Sequence, residues 1–335
     1  MGILLYPGAQ LAAVLGLTDL FALAGRLASE RAAPAAPELQ VTHWRIEAPG
    51  QAPQAVYSSS QPPSGTPQVM ILPPSMQPPI STEAAAPYLG WLRALHDDGT
   101  TLASVCAGAF LLAETGRLAG RTITTNWQYA ELLAARFPDV TLDVDQMLID
   151  GGDIFSAGGA MAWTDLGLRL VDRYLGAAVM LDVARTLLID PPGRQQRYYS
   201  SFSPRLTHGD AAVLAVQQWL HDTHAKQVAS AELAQRAGLE ERTFLRRFQK
   251  ATGMTATEYC QRVRVARARE MLQTSNVPLE RIAWDVGYSD PGSFRKVFSR
   301  IVGLSPGEYR RRFGAERVRV ICDFGVDAAP AGQEK

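Results

Sequence analysis

Over the first 190 residues, short apolar runs alternate with longer stretches in which apolar positions recur every three or four residues. The runs 3–6, 40–46, 56–58, 68–72, Thr101–Val105 and 121–125 have the length and the β-branched content of strands. Between them, 9–28, 84–97, 107–115, 127–136 and 161–175 carry the wider period of amphipathic helices. Strands alternating with helices predict a parallel sheet covered on both faces, an α/β three-layer sandwich. The stretch 143–155 adds a hairpin that turns at Asp150, Gly151 and Gly152.

From residue 229 to 313 the pattern becomes purely helical and is written twice. The copy LAQRAGLEERTFLRRFQKATGMTATEYCQR, from Leu233, is answered by IAWDVGYSDPGSFRKVFSRIVGLSPGEYRR, from Ile282. Ala234, Gly238, Phe244, Phe248, Gly253, Thr255, Glu258 and Tyr259 align with Ala283, Gly287, Phe294, Phe298, Gly303, Ser305, Glu308 and Tyr309, with one residue inserted after Gly287. Each copy reads as a helix, a tight turn at glycine and a second helix, that is, a helix-turn-helix unit. In the second copy Asp290 stands as helix cap and Pro291 at the first helical position.

On a wheel of about 100° per residue, Phe244, Phe248 and Ala251 share one face and Arg242, Arg246, Gln249 and Lys250 the other, with Arg247 at the margin. In the second copy Phe294, Val297, Phe298 and Ile301 turn inward, and Gly292, Lys296, Ser299 and Arg300 turn outward. Both outer faces are basic. A helix over 256–273, opened by the capping box Thr255, Ala256, Thr257, Glu258, joins the copies. Its length of about 27 Å suits a rod holding two reading helices about one turn of duplex DNA apart, near 34 Å. A final short helix, opened by Ser305, carries Arg310, Arg311 and Arg312.

Net charge is zero, yet it is unevenly spread. Residues 205–312 hold 18 Lys and Arg against 11 Asp and Glu, whereas residues 1–204 hold 12 against 18. A basic end joined to an acidic one fits a nucleic-acid-binding module attached to a domain with another task. Three scattered cysteines, Cys106, Cys260 and Cys322, form neither a disulfide framework nor a zinc motif, so no metal and no cofactor is expected. The apolar stretch 9–28 is interrupted by Asp19 and Arg26 and reads as an amphipathic helix, not a membrane span. A cytoplasmic protein is expected.

The stretch TLASVCAGAFLLAETGRLAG places Cys106 at a sharp strand-to-helix turn. A sulfur at a helix amino terminus is favoured as thiolate, so Cys106 is a candidate reactive group. Packing of a small residue in the turn explains it equally.

GYSDPGSFRKVFSRIVGLSPGEYR, closing the second copy, resembles the DNA-binding domain of AraC/XylS-family bacterial transcription regulators, and the likeness extends over 209–313. The resemblance implies that 241–251 and 291–301 enter the major groove. It places Arg242, Leu245, Arg246 and Gln249 of the first helix, and Gly292, Ser293, Arg295 and Lys296 of the second, at bases or phosphates. Lys250 and Arg300 join this set from the outer faces. Leu245 is equally a partly buried core residue.

ILLYPGAQLAAVLGLTDLFALAG, SVCAGAFLLAETGRLAGRTITTNW and DIFSAGGAMAWTDLGLRLVDRYLG resemble the ThiJ/PfpI group of the class I glutamine amidotransferase-like, flavodoxin-like fold. Fused to an AraC-type domain, this is a GlxA-like architecture. The resemblance puts Cys106 at the nucleophile position and Asp19 at the acid that faces it. It also marks departures: Ala107 stands where the hydrolases place histidine, Pro73, Pro74 and Ser75 replace a glycine pair, and Asn126 replaces a frequent histidine. Acyl transfer needs a base and oxyanion donors, and proline donates no N–H.

These residues imply a sensor, not an enzyme, with Asp19, Pro74, Ser75, Cys106, Ala107, Asn126, Trp127 and Gly158 walling an effector pocket suited to an amine or amino-acid derivative. The expected domains are 1–190 for sensing, 191–208 as linker, 209–313 for DNA and 314–335 as a partly disordered tail. The expected function is sequence-specific transcription regulation, by activation, with promoter DNA, RNA polymerase and a second copy of the chain as partners. The alternatives are a cysteine-dependent hydrolase or glyoxalase, or a Cys106 redox sensor, fused to a DNA-binding domain.

Overall fold

The computed structural model describes residues 1–31, 39–48, 50–60, 65–226 and 228–314, and divides the chain into two compact units, Met1–Gln196 and Arg197–Lys335.

In the first unit the elements run β1 (Gly2–Leu4), α1 (Leu11–Arg31), β2 (Thr42–Arg45), β3 (Gln54–Ser58), β4 (Val69–Leu72), α2 (Thr82–Asp97), β5 (Thr101–Val105), α3 (Gly108–Glu114), β6 (Thr122–Ile123), α4 (Ala130–Arg136), β7 (Thr141–Leu142), β8 (Leu148–Asp150), β9 (Ile154–Ala157), α5 (Trp163–Leu175) and α6 (Ala177–Leu187). Seven strands form one sheet in the order β3-β2-β1-β4-β5-β9-β8. The five inner strands are parallel, and the edge strands β3 and β8 are antiparallel to their neighbours.

Side chains alternate across the sheet as the two-residue period requires. Ile3, Ile71, Ala103, Val105 and Phe155 face one way and pack with Leu17, Phe21, Leu166, Leu170 and Val183 of α1, α5 and α6. Leu4, Met70, Leu72, Leu102 and Ile154 face the other way, against Leu92 and Phe110 of α2 and α3. The three-layer sandwich is therefore present, with a core on each side of the sheet.

Two elements differ from the sequence expectation. The strand expected over 121–125 shrinks to β6, which pairs with β7 outside the main sheet. Thr124 and Thr125 are turned inward instead: the Thr124 amide donates to Ser156 Oγ at 2.9 Å, and Thr125 Oγ1 donates to the carbonyl of Cys106 at 2.8 Å. Helix α6 has no counterpart in the expected elements. Gly176, at φ +87°, ends α5 and begins α6, so two helices lie where the pattern shows one. Helix α1 is long and apolar enough to cross a membrane by length and composition, but half of that stretch is buried within this fold.

The second unit consists of α7 (Ala211–Asp222), α8 (Ser230–Arg236), α9 (Glu241–Thr252), α10 (Ala256–Thr274), α11 (Leu279–Asp285), α12 (Pro291–Val302) and α13 (Pro306–Phe313). The sequence repeat becomes a structural one. Gly253 and Gly303 end α9 and α12 at φ +74° and +83°, a left-handed conformation that costs a residue with a Cβ more than it costs glycine. Phe244, Phe248, Phe294 and Phe298 are fully buried. Phe248 meets the ring of Tyr259 edge-on at 5.2 Å and 89°, and Phe298 meets Tyr309 at 5.6 Å and 75°. Two separate cores result, one of α7 to α10 and one of α10 to α13, joined through α10. At 19 residues, α10 is about 28 Å long. Of the expected tail, residues 315–335 lie outside the described residues.

Because Phe298 has no exposed surface, Phe298→Ala should lower the unfolding free energy of the second unit by about 3–5 kcal/mol, measured by urea titration. A loss below about 1 kcal/mol would show that the second core does not depend on this ring.

Candidate nucleic-acid interface and cysteine elbow

The two outward helix faces differ in how their side chains are engaged. On α9, Arg242, Arg246, Gln249 and Lys250 are exposed and have no hydrogen-bond or ion-pair partner among the described residues. Leu245 is 38% exposed and stands on this outer side, not in the core. Arg247, at the margin, is committed to structure: its guanidinium donates to both carboxylate oxygens of Asp210, at 2.9 and 2.8 Å, and Asp210 caps α7. The pairing holds the Asp210 carboxyl below its usual range.

On α12 most of the candidate residues are already engaged. Asp290 accepts the Gly292 amide at 3.1 Å and the Ser293 amide and hydroxyl at 2.8 Å, which holds its carboxyl below the usual range. Arg295 pairs with Glu280 of α11 at 2.7 Å, and Arg300 reaches Gln261 of α10 at 2.5 Å. Lys296 makes no hydrogen bond or ion pair with the described residues. Gly292 offers no side chain. Since exposed ion pairs contribute little, Arg295 can be released at small cost.

A concave site of about 490 Å³ beside α9 is lined by Arg205, His208, Asp210, Arg247 and Lys250. Arg205 and His208 escape a sequence reading because they precede α7, where no periodicity places a side chain beside α9.

In the first unit, Cys106 lies where β5 gives way to α3. Its φ is +53°, in the left-handed region, where a side chain costs about 1–2 kcal/mol. The turn is clamped. The Cys106 amide donates to the Ala157 carbonyl at 2.8 Å, and its carbonyl accepts Thr125 Oγ1. A Cβ on Gly108 would lie 2.4 Å from the Leu72 carbonyl oxygen, so glycine there lets α3 begin against the end of β4.

The strand order reverses between β1 and β4, and the carboxyl ends of such strands form the crevice where open α/β sheets bind ligands. Three chain segments meet near that crevice. Tyr6, after β1, donates its hydroxyl to the Pro73 carbonyl, after β4, at 2.6 Å. The Pro74 carbonyl accepts the Gln10 amide at 2.7 Å, and Ser75 is buried. Asn126, whose side chain counters the rise of the Cys106 thiol, caps the turn Trp127–Tyr129 by accepting the Gln128 amide at 3.0 Å. Burial first, and proximity to Cys106 second, push the hydroxyls of Tyr6 and Tyr129 up.

Cys106 itself is 2% exposed. Burial pushes its thiol up, against the smaller opposing pull of the Ala107 amide and Asn126. The expectation of a favoured thiolate is thus corrected: desolvation outweighs the donors of a helix only seven residues long. Asp19 does not join the elbow. The period of α1 turns Val14, Leu17 and Thr18 into the core and leaves Asp19 exposed. Neither histidine of this unit lies at the elbow: His43 is within β2, bonded to Thr18 at 2.8 Å, and His96 is bonded at 3.0 Å to Asp153, before β9, whereas Cys106 meets Ala157 at the far end of that strand.

Gly158 is buried against Gln196, whose amide nitrogen would lie 2.6 Å from a Cβ on that glycine. Gln196 is 2% exposed. It donates to the carbonyls of Thr125 and Val144 at 2.8 and 3.0 Å and accepts the Trp127 amide at 2.9 Å. The sequence expectation places it in a linker, since its polar neighbours Gln195 and Arg197 give no sign of burial.

A basic pair of helix-turn-helix units following an α/β sandwich with a cysteine elbow defines a DNA-binding protein with an appended domain. Two family models match accordingly: a helix-turn-helix domain over residues 233–312 and the DJ-1/PfpI family over 64–173. The chain is 29% identical over 227 residues to the HTH-type transcriptional regulator GlxA of Rhizobium meliloti, a match spanning 67% of this chain and 69% of that one. It is 25% identical over 221 residues to the HTH-type transcriptional regulator CdhR of Pseudomonas aeruginosa, spanning 66% of each. The crystal structure of Drosophila melanogaster DJ-1beta is similar to 56% of this chain and 97% of its own, at 16% identity and a TM-score of 0.42. The chain is a DNA-binding transcriptional regulator with an AraC-type helix-turn-helix domain and an amino-terminal DJ-1/PfpI domain.

Because burial raises the Cys106 thiol, iodoacetamide should label it at pH 7 at least about tenfold more slowly than a free cysteine, with the rate still climbing above pH 9. Asn126→Ala removes a side chain that counters this rise and should slow labelling further. Labelling faster than that of free cysteine at pH 7 would restore the reactive-thiolate reading.

Proposed function

We propose that this protein regulates transcription by reading promoter DNA chiefly through α9, under the control of a small molecule bound at the elbow of the amino-terminal unit. The observation that carries the first part is the contrast between the faces. Four polar side chains on α9 are exposed and uncommitted, whereas Ser293, Arg295 and Arg300 on α12 hold partners of their own. Arginine with both donor edges free is suited to guanine O6 and N7, and a glutamine amide to adenine N6 and N7. Arg242, Arg246 and Gln249 then read bases of one half-site, Arg295, released from Glu280, reads a base of a second, and Lys250, Lys296 and Arg300 hold phosphates. Gly292 and Ser293 let the backbone of α12 approach the duplex closely.

The elbow pocket, with Pro74, Ser75, Cys106, Ala107, Asn126, Trp127 and Gly158 as its candidate wall, binds an effector and does no chemistry. A thiol raised by burial, proline carbonyls in place of amide donors and two histidines engaged elsewhere all support that reading. They equally fail to favour a hydrolase, a glyoxalase or a redox sensor. With Asp19 exposed, the amine preference loses its carboxylate and rests on Asn126 and the tyrosines Tyr6 and Tyr129. Dimerisation, contact with RNA polymerase, activation and a cytoplasmic location complete the proposal, supported by the naming of the relatives as transcriptional regulators.

Arg242→Ala and Arg246→Ala should each cost about 1–3 kcal/mol on a selected operator and relax preference at one base position, measured by competition binding. Lys296→Ala should weaken all duplexes alike and flatten the salt dependence by about one unit of slope. Equal losses on operator and random duplex for Arg246→Ala would remove direct reading by α9. In a thermal-shift screen of amines and amino-acid derivatives, a binder should stabilise the wild type and lose its effect in Asn126→Ala; no shift across the screen would exclude this ligand class.

A further inference from the structure

Residues 197–202, the first of the second unit, are not α-helical, yet they are held along their length. Arg269, on the middle helix α10, donates through Nη2 to the carbonyls of Arg197 and Tyr198, each at 2.8 Å, and through Nη1 to that of Ser200. Its guanidinium also lies over the ring of Tyr309, 5.1 Å from the centroid. Three carbonyl acceptors on one guanidinium form a grip that matches the planar fork of arginine and not the point charge of lysine.

From that grip the segment reaches both cores. On the side of the second core, the Arg197 guanidinium donates to the carbonyl of Arg300, in the last turn of α12, at 3.3 Å. Tyr199 meets Phe313 edge-on at 5.5 Å and accepts Arg312 at 2.8 Å. On the side of the first core, Phe202 meets Tyr259 at 5.1 Å and stacks on His221 at 6.2 Å. Apart from α10, this is a second physical connection between the halves that carry α9 and α12.

We infer that residues 197–202 form a strap, locked by Arg269, which fixes the spacing and twist between the two reading helices. Arg269 is a positioning residue and touches no DNA. The inference rests on the reading that both α9 and α12 engage one duplex. One helix alone leaves the halves free to rock about α10, and two connections that differ in path remove that freedom. Binding both half-sites then costs less ordering, because the arrangement exists beforehand.

The test uses the full-length protein and the duplex that wild type selects from a randomised library. Binding is measured on this duplex, on one with the half-site read by α12 scrambled, and on versions with one or two base pairs inserted between the half-sites. Wild type should lose at least about tenfold on scrambling and on insertion, since each removes or displaces one of two linked contacts. Arg269→Met, which keeps the apolar stem, should lose about tenfold on the intact duplex and less than about twofold on the scrambled one, and its penalty for insertion should fall to about threefold or less. Tyr199→Ala alters a side chain that is 41% exposed and should shift spacing preference in the same direction with an unchanged melting profile, which separates the effect from misfolding. Arg269→Lys should recover only part of the discrimination. Arg269→Met and Tyr199→Ala retaining wild-type spacing discrimination, or losing affinity equally on intact and scrambled duplexes, would overturn the strap. Wild type indifferent to scrambling of the α12 half-site would overturn the two-helix reading beneath it, and is a distinct result.

Discussion

The orientation of α9 and α12 depends on one contact made twice, a tyrosine ring standing edge-on against a phenylalanine on the helix above it. Tyr259 and Tyr309 sit in equivalent turns of α10 and α13, and each is buried under the second phenylalanine of its unit. Edge-to-face geometry favours the positive ring edge against the negative face, so the contact resists rotation as well as separation. With the inner face pinned in this way, period alone decides which residues of α9 and α12 face outward. Each tyrosine hydroxyl is also satisfied, Tyr259 by Gln217 at 3.1 Å and Tyr309 by Gln273 at 2.7 Å. Burial raises both phenols, Tyr259 to about 12, so they remain neutral hydrogen-bonding groups at any physiological pH.

The amino-terminal unit follows a different logic, in which backbone geometry is held by polar side chains. Thr125, Ser156, Gln196 and the carbonyls of Leu72 and Ala157 surround the turn at Cys106. The frame fixes the shape of the crevice at the end of the parallel sheet through polar contacts that are independent of the thiol.

Much of this is legible in the sequence because it is periodic. Phenylalanines every four residues and their repetition about fifty residues later require no structure to interpret, and the strand-helix alternation implies the sandwich. What escapes notice is aperiodic or depends on distance in space. Gln196 and Arg269 are polar residues in polar surroundings, and nothing local marks them as buried or as gripping carbonyls. Asp19 is misplaced for the opposite reason: a motif suggests a role, whereas the helical period of its own segment, with Val14, Leu17 and Phe21 inward, points it to solvent. Cys106 is placed correctly at the turn, but its protonation depends on burial, which spacing does not report.

The positive φ at Cys106 also constrains the history of this position. A backbone held in that conformation tolerates glycine, asparagine or a small unbranched side chain, and penalises valine, isoleucine and threonine, whose Cβ carries two heavy atoms. A lineage that no longer needed sulfur would therefore drift along a narrow path of substitutions. Retention of a cysteine can reflect the shape of the peptide it occupies, quite apart from any selection for reactivity.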